Sequence, residues 1–384
     1  MTELLTRGVE RIYPSPEKLE QVLATGRKLR IYWGVDPTGS SLHIGHAANL
    51  LKLKDFQDQG HEIILLIGDF TARIGDPTDK TATRVQLSPA EVAENMKHYL
   101  DQAGKILDLT RVQVRYNSEW LAKLSFAELL ELTSRVTFAQ IVKRDMFQKR
   151  LAENKDLFLH EFLYPLMQGY DSVALDVDME VGGNDQIFNM LVGRDLLKSF
   201  KQKEKFVLAT KLLTDPTGAK MGKTSGNMVT LNAAPGEMYG QVMSWPDSLL
   251  LLGFEICTRL PLEENLALAA ADPKQAKMKL ARAIVTVHHG AEAAAAAEQQ
   301  FVAQFQNQEI PTDLPVFQAS LGEPLADFLV KNKIIASKTE FRRLLTAGAI
   351  CNLETNEKLT EENNQIKTPL TLKIGKRRLI KIRL

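Results

Sequence analysis

Val35-Asp36-Pro37-Thr38-Gly39-Ser40-Ser41-Leu42-His43-Ile44-Gly45-His46 closes a strand-like run from Leu29, turns through Pro37 and Gly39, and opens an amphipathic stretch reaching Phe56. Two imidazoles three residues apart lie on one face of that first helical turn. A helix N-terminus draws phosphate through its free amides and its dipole, and the histidines add donors that can follow charge developing at an α-phosphate. Gly45 lets a planar base approach the backbone. Taken alone, the pair is equally compatible with two structural or surface histidines.

Outward from this turn, short β-rich runs alternate with long amphipathic ones up to about Leu213, the pattern of a parallel sheet with crossover helices. The spacing predicts strands at Leu29 to Val35, Glu62 to Gly68, Val112 to Tyr116, Leu175 to Val181 and Phe206 to Thr210, with helices such as Ala90 to Leu107 and Ile187 to Leu197 between them. That is a doubly wound α/β domain, whose ligands belong beyond the strand ends at Val35, Gly68 and Val181. After about Ala234 the sequence turns helical, with Asp272-Pro273 as an N-cap and first-turn pair. Proline then marks a linker. The expected division is a Rossmann-like domain at 1–230 with a helical insertion near 119–160, an α-helical domain at 231–310, a linker at 311–324 and a small basic module at 325–384.

Three hundred and eighty-four residues, 44% of them hydrophobic, suffice for two to three domains with ordinary cores. Cys257 and Cys351 are the only cysteines, which excludes a disulfide framework and a zinc site built from paired thiolates, and points to a reducing compartment. No apolar stretch approaches the roughly 20 residues that span a bilayer, and MTELLTRGVE lacks the apolar core of a signal peptide. The expectation is a cytoplasmic protein with no membrane partner. The net charge of +1 hides an asymmetry: residues 325–384 hold 13 Lys and Arg against 6 Asp and Glu, and the last 18 residues hold no acid. Such a tail suits a phosphate-bearing partner, or is simply a solvated basic face.

A second motif follows the last strand: Asp215-Pro216-Thr217-Gly218-Ala219-Lys220-Met221-Gly222-Lys223-Thr224-Ser225-Gly226. Small residues and two lysines three apart form a basic loop that could close on departing pyrophosphate, or a plain polar turn. In this order across an α/β domain, the two motifs resemble the HIGH and KMSKS signatures of class I aminoacyl-tRNA synthetases. Tyr164-Pro165-Leu166-Met167-Gln168-Gly169-Tyr170-Asp171 and Gly182-Gly183-Asn184-Asp185-Gln186, together with Tyr32, narrow the resemblance to the tyrosyl-tRNA synthetases, over nearly the whole chain. Tyr164, Gln168 and Asp171 share a helix face, so one ligand could touch all three.

The resemblance implies roles residue by residue. Tyr32 and Asp171 match residues that hydrogen-bond the substrate phenol, and Asp76, Tyr164 and Gln168 match those that hold its ammonium group. Asp36 falls at the junction of the two substrates and Gln186 near the reacting carboxylate. Thr38, His43, His46, Lys220 and Lys223 fall on the ATP phosphates as the catalytic set, Gly34 and Gly45 on the nucleotide, with Gly45 under adenine, and Gly183 and Asp185 at the ribose. Lys80 and Arg84 match a second loop reaching toward pyrophosphate. Three departures stand out: Trp33 where many relatives carry cysteine, Glu180 where glutamine is common, and glycine for the first serine of KMSKS.

Downstream, Leu325 to Val330 and Ser337-Lys338-Thr339-Glu340-Phe341-Arg342-Arg343-Leu344-Leu345 resemble an S4-like RNA-binding domain, which places Lys338, Arg342 and Arg343 on RNA. The implied partners are L-tyrosine, ATP and tRNA(Tyr), with Mg2+ arriving on ATP and no dedicated protein metal site. The stretch from Glu119 to Lys149 matches the region where the family forms homodimers, although its leucines equally fit an internal core. The rival readings are a tryptophanyl-type synthetase and an inactive, synthetase-derived RNA-binding protein. His288-His289 read as cationic imidazoles ending a helix, His160-Glu161 as non-metal, and Tyr116 and Trp245 as packing.

Overall fold

The computed structural model describes residues 2–78, 86–214, 228–305, 314–355, 357–375 and 378–384. It contains two compact units, Met1–Glu298 and Gln299–Leu384. Among the described residues no helix is long and apolar enough to cross a membrane, and both cysteines are free.

The first unit is built on a six-stranded sheet of β1 (Val9–Tyr13), β2 (Arg30–Val35), β3 (Glu62–Ile67), β4 (Val112–Tyr116), β5 (Met179–Gly183) and β6 (Phe206–Thr210), in the order β1-β6-β5-β2-β3-β4. All neighbours are parallel except β1, which runs antiparallel to β6 on the edge. The chain winds from β2 through β3 to β4, then returns to lay β5 on the other side of β2. The switch point therefore falls between β2 and β5, where a doubly wound sheet opens its ligand crevice. Ile63 to Ile67 are buried without a break because helices cover both faces.

Four expectations are corrected in detail. The fourth parallel strand starts at Met179, not Leu175: Leu175 ends the helix Leu159–Leu175, and Asp176 in the left-handed region closes it. Ala90 to Leu107 is two helices, Pro89–Met96 and Tyr99–Ala103, because Tyr99 is buried and its hydroxyl donates to the Gly39 carbonyl. Within the expected linker, Val316–Gln318 is a strand. His288 is not cationic: at 5% exposure its Nδ1 has no hydrogen-bond partner among the described residues, and burial, aided by Lys105 and His289, pushes its pKa down to about 4.

Helices Leu159–Leu175 and Ile187–Lys201 touch backbone to backbone, since a Cβ on Gly169 would lie 3.2 Å from the amide nitrogen of Gly193. This contact fixes the helix that carries Tyr164, Gln168 and Asp171. Asp272 caps the helix Pro273–His289 by accepting from the Gln275 amide, as its sequence position requires.

The second unit holds a five-stranded sheet of β7 (Val316–Gln318), β8 (Ile350–Asn352), β9 (Glu357–Lys358), β10 (Leu370–Ile374) and β11 (Arg378–Arg383), in the order β7-β11-β10-β8-β9. Helices Leu325–Lys331 and Lys338–Thr346 close its core on Phe328, Phe341 and Ile382. β7 belongs here because Phe317 packs edge-on against Phe328 while Val316 to Gln318 pair in parallel with Lys381 to Arg383.

Candidate active site

Loops at the carboxyl ends of β2, β3 and β5 enclose a cleft of about 860 Å³. Tyr32, Gly34, Asp36, Thr38, His43, Gly45, His46, Asp76, Tyr164, Gln168, Asp171, Gly183, Asp185 and Gln186 all line it, so residues spread over 155 positions converge on one crevice. Trp33 and Glu180, the two departures, line it as well. Lys80, Arg84, Lys220 and Lys223 lie outside the described residues. The flanks of the second basic loop are nonetheless in place: Leu213 before it and Met228 after it line the cleft, and Thr230 bridges to His43.

The histidine pair is shaped by the helix it starts. His43 is the N-cap of Ile44–Asp58, and its amide donates to His46 Nδ1 at 3.2 Å. A neutral His46 therefore carries its proton on Nε2. The rings stack with centroids 3.7 Å apart. Gly45 protects that stack, since a Cβ there would stand 3.1 Å from the His43 ring. Trp33 packs at 6.0 Å against His46, a tilted aromatic contact.

Carboxylates dominate the opposite wall. Asp36 accepts from Thr71 Oγ1 at 2.7 Å and from the Tyr164 hydroxyl at 2.8 Å. Burial and the charge of Asp36 hold the Tyr164 phenol well above its ordinary pKa, so it stays a donor. Asp76 accepts from Gln186 Nε2 at 2.7 Å and from the hydroxyl and amide of Thr78 at 2.6 and 2.9 Å. Gln168 donates to Glu180 at 3.2 Å. The three residues expected around the substrate ammonium thus share the cleft, but hydrogen-bond to different partners.

At the buried end, Asp171 accepts from Trp120 Nε1 at 2.8 Å and Asn117 Nδ2 at 3.3 Å. Burial pushes its pKa well up, against the pull of those two donors. Sequence reasoning overlooked Thr71, Asn117 and Trp120, which aim Asp36 and Asp171, because none sits in a motif. Gly68 was read only as a strand end. A Cβ there would lie 2.0 Å from Asp36 Oδ1 and 2.5 Å from Thr71 Oγ1, so the glycine is what admits the Asp36 carboxylate.

In the second unit, Lys338, Arg342 and Arg343 lie on the helix capped by Ser337. Lys338 pairs with Asp327 at 2.5 Å and Arg342 with Glu362 at 2.6 Å, and Arg343 is exposed. Exposed pairs of this kind hold little energy. Glu161, beside His160, makes a bidentate buried pair with Arg150.

A doubly wound sheet, a histidine pair at a helix N-terminus over its switch point, and a carboxylate-lined pocket beside it define the core of a class I aminoacyl-tRNA synthetase. Residues 24–306 match the family model for class I tRNA synthetases (W and Y). The chain belongs to the tyrosyl-tRNA synthetases. It is 42% identical to the tyrosine--tRNA ligase of Carboxydothermus hydrogenoformans, over 99% of this chain and 97% of that one, and 41% identical to that of Thermotoga maritima, over 91% and 88%. A C-terminally truncated mitochondrial tyrosyl-tRNA synthetase from Coccidioides posadasii superposes with a TM-score of 0.65 at 26% identity, covering 78% of this chain and 90% of that one. The fold also matches the tyrosyl-tRNA synthetase of Archaeoglobus fulgidus complexed with L-tyrosine, with a TM-score of 0.61 at 23% identity over 77% and 98%.

Proposed function

We propose that the chain activates L-tyrosine with Mg-ATP and transfers the tyrosyl group to the 3′ end of tRNA(Tyr). A tyrosine carboxylate oxygen attacks the α-phosphorus in line, and the bond to the β-phosphate oxygen breaks as pyrophosphate leaves. A terminal tRNA hydroxyl then attacks the adenylate carbonyl and AMP leaves. Magnesium enters as part of the ATP complex. No protein nucleophile is needed: catalysis comes from positioning and from donors aimed at developing charge.

The observation that carries this reading is the buried end of the cleft, where the Tyr32 phenol and the Asp171 carboxyl, held by Trp120, both line the space a substrate hydroxyl would enter. Around it, Asp36, Asp76, Tyr164, Gln168 and Gln186 serve the amino acid's polar end. Gly34, Thr38, His43, Gly45, His46, Gly183 and Asp185 serve ATP, with Lys220 and Lys223, and secondarily Lys80 and Arg84, on pyrophosphate. Lys338, Arg342 and Arg343 take the tRNA backbone. A tryptophanyl specificity fits less well, since an indole has no hydroxyl to satisfy both polar groups.

The working form is a cytoplasmic homodimer. Phe126 at 75% exposure, Phe138 at 66% and Leu159 at 83% stand on or beside the helical insertion, an apolar surface that a second copy would cover. Aminoacylation of tRNA with labelled tyrosine tests the whole proposal. Charging with tyrosine but not tryptophan is the expected result, and charging with tryptophan, or none with tyrosine, overturns it.

A further inference from the structure

Behind the phenol end of the cleft lies a buried ammonium for which the proposed reaction has no use. Lys205, 1% exposed, stands just before β6. Its Nζ donates to the Glu180 carboxylate and to Ser172 Oγ at 2.7 Å, and lies 5.7 Å from the centroid of the Tyr32 ring. Ser172 Oγ in turn is 2.9 Å from the Tyr32 hydroxyl. The sheet register sets Tyr32 beside Glu180, and Ser172 follows Asp171 on the helix. The packing reserves space for this contact: a Cβ on Gly193 would lie 2.7 Å from Lys205 Nζ and 2.8 Å from Ser172 Oγ.

The chain of contacts has a direction. An ammonium only donates, so Ser172 Oγ accepts from Lys205 and has one proton of its own to place. Two acceptors are in range, Tyr32 Oη at 2.9 Å and Glu180 Oε2 at 3.5 Å, the second at the outer limit of a hydrogen bond. The shorter contact wins. Tyr32 Oη therefore accepts from Ser172, and its own O–H has the Glu180 carboxylate behind it, which Lys205 already draws on, and the cleft in front, where a substrate phenol offers the competing acceptor. A substrate phenol between the two groups then accepts from Tyr32 and donates to Asp171. With the chain reversed, Tyr32 and Asp171 would both offer acceptors to one phenolic proton.

We propose that Lys205, acting through Ser172, is a positioning residue for specificity that fixes Tyr32 as the donor to the substrate phenol. Glu180 supplies the counter-charge that keeps an ammonium tolerable at a site where almost no water reaches. This inference rests on the tyrosine-activating reading above and adds to it the polarity of the hydroxyl recognition.

The test uses the full-length chain and ATP–pyrophosphate exchange with tyrosine and with phenylalanine, in wild type, Ser172→Ala, the double variant Glu180→Gln/Lys205→Met, and the triple variant. The double variant removes the ammonium and its partner together, so no lone charge is left buried. The ratio of kcat/KM for tyrosine over phenylalanine falls about fivefold in Ser172→Ala and in the double variant, as expected for one net hydrogen bond. The triple variant falls no further, because one relay has been cut twice. KM for ATP stays at the wild-type value, a split that a merely structural role does not produce. An unchanged ratio in either variant, additive losses in the triple, or a joint rise of both KM values with a lowered melting temperature overturns the relay while leaving tyrosine activation standing. Wild-type chain without tyrosine-dependent exchange overturns the functional reading, and the relay with it.

Discussion

The Asp36 carboxylate owes its place to a missing side chain just past the end of β3. Gly68 leaves the space that Asp36 fills, and Thr71 and Tyr164 hold its two oxygens from opposite sides. Gly68→Ala should therefore displace Asp36 and cut kcat/KM for tyrosine by at least about a hundredfold, given how steeply rate depends on positioning. Steady-state exchange kinetics check this, and near-normal activity would contradict the geometry. Tyr32→Phe removes the donor facing the substrate hydroxyl without changing the ring. Its tyrosine-over-phenylalanine ratio should drop by about 1 to 3 kcal/mol, read from paired specificity constants. Residues of this kind divide sharply in legibility. Tyr32, Asp36 and Asp171 could be read because they sit in recognisable runs. Gly68, Thr71, Asn117 and Trp120 could not, since their effect exists only once β3, β4 and the helix Leu159–Leu175 are brought together.

At the scale of elements, the parallel strands were readable because burial on both faces writes continuous apolar runs into the sequence. β1 was not: Val9-Glu10-Arg11-Ile12-Tyr13 is a half-exposed edge, and its polar residues mask it. β7 was hidden by its proline-rich surroundings and is held by the distant β11. The end of helix Pro273–His289 gives a pH prediction. His288 titrates near 6.5 when unfolded but only at about 4 when folded, so the unfolded chain binds the extra proton between those values. Stability is thus undiminished above about pH 6.5 and falls by on the order of 3 kcal/mol as pH drops through that window. Denaturant midpoints across the window should show this slope, and His288→Leu should flatten it. For the basic loop between Leu213 and Met228, Lys220→Ala or Lys223→Ala should slow single-turnover adenylate formation by about a hundredfold with tyrosine affinity unchanged, because charge on pyrophosphate develops late. An equal loss in an equilibrium tyrosine titration would count against that role.

For the molecule as a whole, the two units suggest a division of labour. Every described residue assigned to adenylate formation lies in the first, and the basic helix with Arg342 and Arg343 lies in the second. Because β7 belongs to the second sheet, a clean truncation ends near residue 310, before Val316. The truncated chain should retain tyrosine-dependent exchange and lose most tRNA charging, with a shallower salt dependence of tRNA binding. Parallel loss of both activities together with a lower melting temperature would make the tail a structural prop instead. The central claim, that the cleft activates tyrosine, is tested most directly by ATP–pyrophosphate exchange on the full chain with tyrosine, phenylalanine and tryptophan offered separately. Exchange that depends on tyrosine and is barely detectable with the other two is the predicted result; exchange driven by tryptophan, or by none of the three, would contradict it.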